Sequence, residues 1–173
     1  MKVEIRIPGW LRAQIVQDLS RPHRFAMERV GFACGRTGTL ANEGKLVLLN
    51  RYHPVADDGY INDSKVGARI GSEAITKAMH LAYHGRPGRE GVFHVHLHPV
   101  SFGTGMSSTD REELPRLMPG FQSVGREAIH GIIIISEDHG SGWVWMPGRR
   151  EAVVADIVSV IGSPLGVFER RMD

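Results

Sequence analysis

The sequence predicts a single α/β domain of the α+β type, in which helices flank a mixed, curved β-sheet. Apolar and charged residues alternate near the N-terminus, two segments carry apolar residues at helical spacing, and residues 129–135 are almost continuously apolar. These three patterns are typical of a half-buried strand, of amphipathic helices and of a fully buried strand. Strands and helices in such a mixed order pack as layers around one core.

The composition is that of one ordinary globular domain. The chain has 173 residues, of which 42% are hydrophobic and 23% are charged. The net charge of +2 gives no basic excess of the kind that nucleic-acid binding needs. The start is too polar for a signal peptide, and no apolar stretch has the length of a membrane span. We therefore expect a cytoplasmic protein with neither a nucleic acid nor a membrane as partner.

The first third of the chain predicts a strand, a helix and two further strands. Residues 3–7 alternate between apolar and charged types, which indicates a half-buried strand that Pro8 and Gly9 end. A helix is then predicted from apolar residues at a spacing of four, namely Leu11, Ile15 and Leu19. Residues 25–35 and 45–50 are apolar and compatible with strands, with a turn expected between them at residues 37–44.

The middle of the chain predicts a loop, a helix and a strand. Residues 52–71 are polar and rich in turn formers, and a loop of this length inside a domain is usually functional. Ser72 is suited to cap a helix of small residues that Gly85 stops. Residues 92–97 then form a strand that carries histidines at every second position.

The last third predicts a short helix, a hairpin and an ambiguous tail. The helix opens at Ser107, and we expect Pro115 and Pro119 to keep it short. Residues 129–135 form a buried strand, and residues 143–146 form its return strand. Val153, Ile157, Val160 and Ile161 have the spacing of a helix, whereas residues 156–161 also suit a strand. No repeat or interdomain linker divides the chain.

The histidine strand is the strongest indication of chemistry. His94, His96 and His98 point to one face of a strand, because side chains alternate between faces. Two of them can bind one ion, whereas three in a row rarely can, since the strand rises about 6.6 Å per two residues. Asp110, at the start of the next helix, can supply a third ligand. Two imidazoles and a carboxylate suit zinc, with manganese, iron or cobalt as alternatives.

A purely structural explanation of the same residues stays open at this point. Alternating histidines can line the polar face of a strand, and Ser107-x-x-Asp110 is also the signature of a helix capping box. Glu28 can be an ordinary exposed acid. The single cysteine, Cys34, excludes an internal disulfide and every zinc site that needs two thiolates.

The residues taken together resemble a known motif. Glu28, His96-Leu-His98-Pro99 and Ser107-x-x-Asp110 follow the pattern Glu … His-x-His-Pro … Ser-x-x-Asp, which is the JAMM motif of JAB/MPN-domain zinc metalloproteases. Residues 28–35 are also similar to the family's strand that begins at the catalytic glutamate. The likeness in element order covers residues 3–146. His94 is an additional histidine, so that His94 and His96 form an alternative ligand pair.

The resemblance implies a JAB/MPN architecture, which is cytidine deaminase-like, over residues 1–173, with a core at about residues 3–146 and a C-terminal extension at residues 149–173. It implies one Zn²⁺ per chain, held by His96, His98 and Asp110. Glu28 would be the catalytic base, and Ser107 would donate to the oxyanion.

The resemblance also implies an activity. It is that of a deubiquitinase-like isopeptidase or peptidase, which cleaves after the C-terminal tail of ubiquitin or a ubiquitin-like protein. The tail would bind as an extended strand, with residues 52–71 as a candidate clamp. Bacterial stand-alone members occur with activating and conjugating enzymes in ubiquitin-like conjugation and antiphage defence systems. Processing of a sulfur-carrier protein, hydrolysis of a small molecule and a non-catalytic MPN-type scaffold remain alternatives.

Overall fold

A curled, mixed β-sheet organises the chain, and the computed structural model describes it over residues 1–22, 27–41, 43–62, 67–85, 90–99, 103–137, 139–163 and 165–169. Within these ranges the sheet has nine strands and the domain has three α-helices, as expected for the α+β class. The strands are β1 (Val3–Pro8), β2 (Val30–Thr39), β3 (Lys45–Pro54), β4 (Glu90–Leu97), β5 (His130–Ile135), β6 (Gly140–Trp145), β7 (Ala152–Val154), β8 (Ile157–Ile161) and β9 (Gly166–Glu169). The helices are α1 (Gly9–Leu19), α2 (Ser72–His84) and α3 (Ser108–Val124), and a 3-10 turn spans Asp57–Gly59.

The strand order is β7-β6-β5-β4-β2-β3-β1-β8-β9. Strand β1 runs parallel to β3 and β8, and β4 runs parallel to β5, whereas the other neighbours are antiparallel. The sheet curls until its distant strands meet: a methyl group on Gly142 of β6 would lie 2.4 Å from Ile5 Cδ1 of β1. Two apolar cores result, one inside the curl and one outside it.

Helix α1 fills the inner core. Its residues Leu11, Ile15 and Leu19 are buried, as their spacing predicted. They pack against the inward side chains of the strands, which include Phe93 and Val95 of β4. Helices α2 and α3 cover the opposite face of β4 and β2, where the outer core contains buried alanines of α2 and Phe32. The histidines of β4 lie on this outer face, since they alternate with Phe93 and Val95.

Strands β2 and β3 are longer than predicted. The turn expected at residues 37–44 is wrong in its first half, because Thr39 still pairs with Lys45 across β2 and β3. Strand β3 likewise continues into the predicted loop as far as Pro54. Pairing of β2 with strands on both sides stabilises an extended backbone that the local glycines alone would not favour. Residues 25–26 of the predicted strand lie outside the described ranges.

The expected early end of α3 is also wrong. The helix continues to Val124 with Pro115 and Pro119 inside it, and both prolines are exposed. Buried Leu114, Met118 and Phe121 anchor its inner face to the outer core, which offsets the hydrogen bonds that the prolines remove. Helix α2 begins one residue earlier than the capping pattern suggested, because Gly71 rather than Ser72 stands at its N-cap.

The tail forms strands, so the strand alternative for residues 156–161 is the observed one. Strand β8 lies beside β1 in parallel, and β9 follows it at the edge of the sheet. Val158 and Val160 of β8 are almost completely buried. Within the described ranges, the helices are too short or too polar to cross a membrane.

Candidate metal centre

The register of β2 and β4 brings distant residues together. Val30 of β2 is paired with His96 of β4. Glu28 stands two residues before Val30 and His98 two residues after His96, so the antiparallel register places both on the same outer face as His96. The Glu28 carboxylate thus meets, where β4 ends, two imidazoles that follow it by about 70 residues in sequence.

The ligand atoms of these three side chains form one cluster. The Nε2 atoms of His96 and His98 lie 3.0 Å apart. A carboxylate oxygen of Glu28 and a nitrogen of each histidine all lie within 4.8 Å of one another. Among the described residues this is the one group of three or more His, Cys, Asp or Glu side chains close enough to share a metal ion.

The hydrogen bond of His98 fixes its tautomer. Its Nδ1 lies 3.1 Å from the carbonyl oxygen of Gly103, and a carbonyl only accepts, so Nδ1 carries the proton. The lone pair of His98 is therefore on Nε2, which is the atom that faces His96. A backbone carbonyl that orients a histidine in this way is a regular feature of metal sites.

Burial keeps the imidazole of His96 neutral. It lowers the pKa of His96 to about 3, with His94 and His98 acting in the same direction and Asp110 acting against them. Neutral imidazole is the form that binds metal. The Nδ1 atom of His96 is buried and has no hydrogen-bond partner in the described part of the chain. The hydrogen bond between the two Nε2 atoms therefore satisfies only one of the two ring nitrogens of His96. A bound metal ion would replace this hydrogen bond.

Asp110 lies next to this cluster but has a second task. Its Oδ2 is 3.6 Å from His96 Nε2. The same oxygen accepts hydrogen bonds from the backbone N–H and the hydroxyl of Ser107, at 2.9 and 2.8 Å. The Asp110 N–H donates back to Ser107 Oγ, which completes a capping box at the start of α3. Ser107 and Asp110 therefore form the helix cap that the purely structural interpretation expects. The role of Asp110 as a metal ligand stays a prediction.

Glu28 lines a cavity next to His98. Its side chain is half-buried, and burial raises the pKa of its carboxyl, with Asp110 acting in the same direction and His98 against it. The cavity has a volume of about 770 Å³. Glu28, His98 and Ser107 line it together with apolar side chains, namely Leu19, Met27, Leu97 and Met106. A few polar groups in a largely apolar hollow are typical of ligand sites.

His94 lies outside the three-residue cluster. Its ring packs edge-on against Phe32 on one side and His96 on the other, with centroids 5.7 and 5.5 Å away. Burial lowers its pKa to about 4. His94 therefore supports the ring of His96, and the alternative pair of His94 and His96 has no third acid or histidine grouped with it among the described residues.

Some residues of the site carried no usable signal in the sequence. The carbonyl of Gly103 orients His98, and the carbonyl of Gly67 accepts the N–H of Glu28 at 2.7 Å. Backbone acceptors of this kind have no residue signature. Arg29 is almost completely buried beside Glu28, although a lone arginine in sequence suggests an exposed one.

Comparisons with known proteins leave the chain without a family. No protein-family model matches it, and no curated protein is significantly similar in sequence. Among solved structures, the STIL N-terminal domain of Trichoplax adhaerens is 11% identical over 81% of this chain, with a TM-score of 0.36. The match spans 40% of that chain. A likeness at this level carries no argument about function, so the case for one rests on the residues of the site.

Proposed function

We propose that this protein is a zinc-dependent isopeptidase or peptidase that cleaves after the C-terminal tail of a ubiquitin-like protein. The observation that carries the proposal is the convergence of the Glu28 carboxylate with a ring nitrogen of His96 and of His98, all within 4.8 Å, with the two Nε2 atoms 3.0 Å apart. The resemblance of these residues, with Ser107 and Asp110, to the JAMM motif gives the convergence a specific chemistry. A cytoplasmic location and partner activating or conjugating enzymes belong to the same proposal.

The donor set fits zinc. The Nε2 atoms of His96 and His98 are the natural first ligands, because one lone pair is fixed by Gly103 and burial keeps the other ring neutral. Asp110 is the proposed third ligand. Its Oδ2 atom already lies 3.6 Å from His96 Nε2, so a small movement of the carboxylate away from Ser107 would be enough. Three protein ligands leave an open position, as in catalytic zinc sites. A zinc ion held there would polarise the substrate carbonyl and acidify a water molecule.

The chain's own residues then supply the proton transfers. The Glu28 carboxylate, whose pKa is raised by burial, takes a proton from the attacking water and returns it to the leaving amine. The Ser107 hydroxyl turns from Asp110 to the developing oxyanion, an interaction that typically contributes about 3–4 kcal/mol.

The proposed activity is tested by cleavage of a ubiquitin-like precursor that carries a short peptide after its glycine tail. We expect the zinc-loaded protein to cleave it at the tail. Glu28→Gln should lose about 100- to 10,000-fold in kcat while it keeps its zinc, because only the base is removed. Glu112→Gln, which changes an exposed acid of α3, is the matched control and should leave kcat unchanged.

Two outcomes would contradict the proposal. Glu28→Gln that cleaves as fast as the wild type would show that Glu28 is not the base. Wild-type protein that holds one zinc per chain but cleaves no ubiquitin-like or sulfur-carrier precursor would favour the binding scaffold or a hydrolase of small molecules.

A further inference from the structure

The backbone that presents Glu28 lies beyond the end of a strand. Strand β3 ends at Pro54, which is paired with Gly31 of β2. On the other side, Val30 is paired with His96 of β4. Val30 therefore has a strand neighbour on the β4 side, and its backbone groups on the other side need partners from elsewhere in the molecule.

Tyr60 supplies these partners for Val30. Its hydroxyl accepts from the Val30 N–H at 2.9 Å and donates to the Val30 carbonyl at 3.0 Å. One side chain thus takes the place that a residue of β3 would have had. The tyrosine is 8% exposed, so water does not replace it readily.

The two residues before Val30 are held by the same part of the chain. The Glu28 N–H donates to the Gly67 carbonyl at 2.7 Å. The buried Arg29 guanidinium donates to Asp57 Oδ1 at 2.7 Å and to the carbonyls of Arg21 and Pro22 at 3.0 and 2.9 Å. Residues 28–30 therefore each have a hydrogen bond to the stretch between Asp57 and Gly67.

Gly67 also limits the position of the Glu28 carboxylate. A methyl group on Gly67 would lie 3.1 Å from Glu28 Oε2, so the peptide of Gly67 packs directly on the carboxylate. Among the described residues on either side of Gly67, Tyr60 and Ile70 form a β-bridge and the Ile61 N–H donates to the Arg69 carbonyl at 2.8 Å.

We propose that Tyr60 and Gly67 are positioning residues, which fix the backbone and the carboxylate of Glu28 relative to the Nε2 atoms of His96 and His98. The proposal rests on the role of Glu28 in the proposed function. Tyr60 contacts this segment through the Val30 backbone, and Gly67 contacts it through the Glu28 N–H. They act through Glu28, and a misplacement of a catalytic group by about 1 Å can reduce a rate about 100-fold.

Tyr60→Phe tests the first half on the metal-free protein and on the zinc-loaded enzyme. Amide hydrogen exchange of Glu28 and Val30 should become at least about tenfold faster, because the Val30 backbone loses both bonds. With the precursor substrate, kcat should fall about 10- to 100-fold with KM and zinc content unchanged. Tyr52→Phe is the matched control: Tyr52 is 7% exposed, and its hydroxyl donates to Asp18 instead.

Gly67→Ala tests the second half without removing a buried group. It should lower kcat about tenfold, since the added methyl group displaces the Glu28 carboxylate. Gly38→Ala, where a methyl group meets nothing within 4 Å, should leave kcat unchanged.

Unchanged exchange at Glu28 and Val30 in Tyr60→Phe overturns the proposal, as does an equal loss of kcat in Tyr52→Phe. Gly67→Ala with wild-type kcat overturns the role of Gly67. Wild-type protein without hydrolytic activity would overturn the proposed function instead, and the exchange of the Glu28 and Val30 amides would still decide whether Tyr60 fixes this segment.

Discussion

At the scale of single residues, the candidate site is built from groups that serve the fold and the chemistry together. Asp110 Oδ2 closes the capping box of α3 and lies 3.6 Å from His96 Nε2. His94 packs in the outer core and supports the ring of His96. Substitutions at these positions therefore have to be designed so that the structural task is kept while the chemical one is removed.

Asp110→Asn separates the two tasks of this residue. The amide oxygen still accepts from the Ser107 N–H, so the unfolding free energy of the metal-free protein should fall by less than about 1 kcal/mol. Zinc affinity should fall about 10- to 100-fold or more, because the anionic ligand is lost. Competition with a chromogenic chelator measures the affinity. Ser107→Ala is the complementary variant: it loses about 1 kcal/mol with its cap and keeps its zinc. If Asp110→Asn bound zinc as tightly as the wild type, Asp110 would serve only as part of the helix cap and not as a metal ligand.

His130 makes the stability of the fold depend on pH. Its Nδ1 accepts from the Val92 N–H at 3.1 Å, and its Nε2 lies 3.0 Å from the Gly125 carbonyl, so the folded protein holds the neutral ring. Burial lowers its pKa below the usual value of 6.5. The stabilisation is therefore complete above about pH 6.5 and is lost as the pH falls below it, with a slope of at most about 1.4 kcal/mol per pH unit.

His130→Gln keeps a donor and an acceptor but does not titrate. Urea unfolding of the metal-free proteins at pH 7, 6 and 5 should show a smaller loss of stability on acidification for the variant than for the wild type. The other buried histidines contribute equally to both proteins. Parallel curves would show that His130 does not contribute to the pH dependence.

At the scale of elements, the sequence predicted best what depends on local pattern. The alternation of β1, the stripe of α1 and the apolar run of β5 all formed as predicted, since each buries one face against a core. The length of α3 and the extension of β2 were not predictable, because packing and pairing by remote residues decide them. Pro115 indicates the end of a helix locally, but buried Leu114 and Met118 keep it helical.

Pro115→Ala should stabilise α3. The exposed proline leaves the Arg111 carbonyl without its helical donor, and an interior proline is typically unfavourable by about 3 kcal/mol. We expect the unfolding free energy to rise by about 1–3 kcal/mol in denaturant titration. Pro147→Ala, in an exposed turn, is the control and should give no gain. Equal stabilities of the two variants would show that packing has already relieved the strain of Pro115.

At the scale of the whole molecule, the site depends on contacts between remote segments. The alternation of His96 and His98 predicted that these two side chains share one face, and their Nε2 atoms lie 3.0 Å apart. The sequence did not predict that Tyr60 and Gly67 hold Glu28, since a lone tyrosine hydroxyl and a backbone carbonyl have no signature. The C-terminal strands also depend on contacts with remote segments, because β8 pairs in parallel with β1 at the other end of the chain.

Truncation after Gly148 tests how far residues 149–173 belong to the domain. The change removes β7 to β9 and uncovers the inner core, in which Val158 and Val160 are 2% and 4% exposed. Each buried valine contributes about 1.5–3 kcal/mol, so we expect a loss of several kcal/mol and strong binding of an apolar dye. A truncated protein with an unchanged melting temperature would instead make these residues a dispensable extension.

Metal content tests the central claim most directly. Protein purified without chelators is analysed by inductively coupled plasma mass spectrometry, together with His98→Ala and with His84→Ala as an exposed histidine control. We expect one zinc per chain in the wild type and in His84→Ala, and essentially none in His98→Ala. Wild-type protein without stoichiometric metal would contradict the proposed zinc site. His98→Ala that retains its zinc would contradict the role of His98 as a ligand.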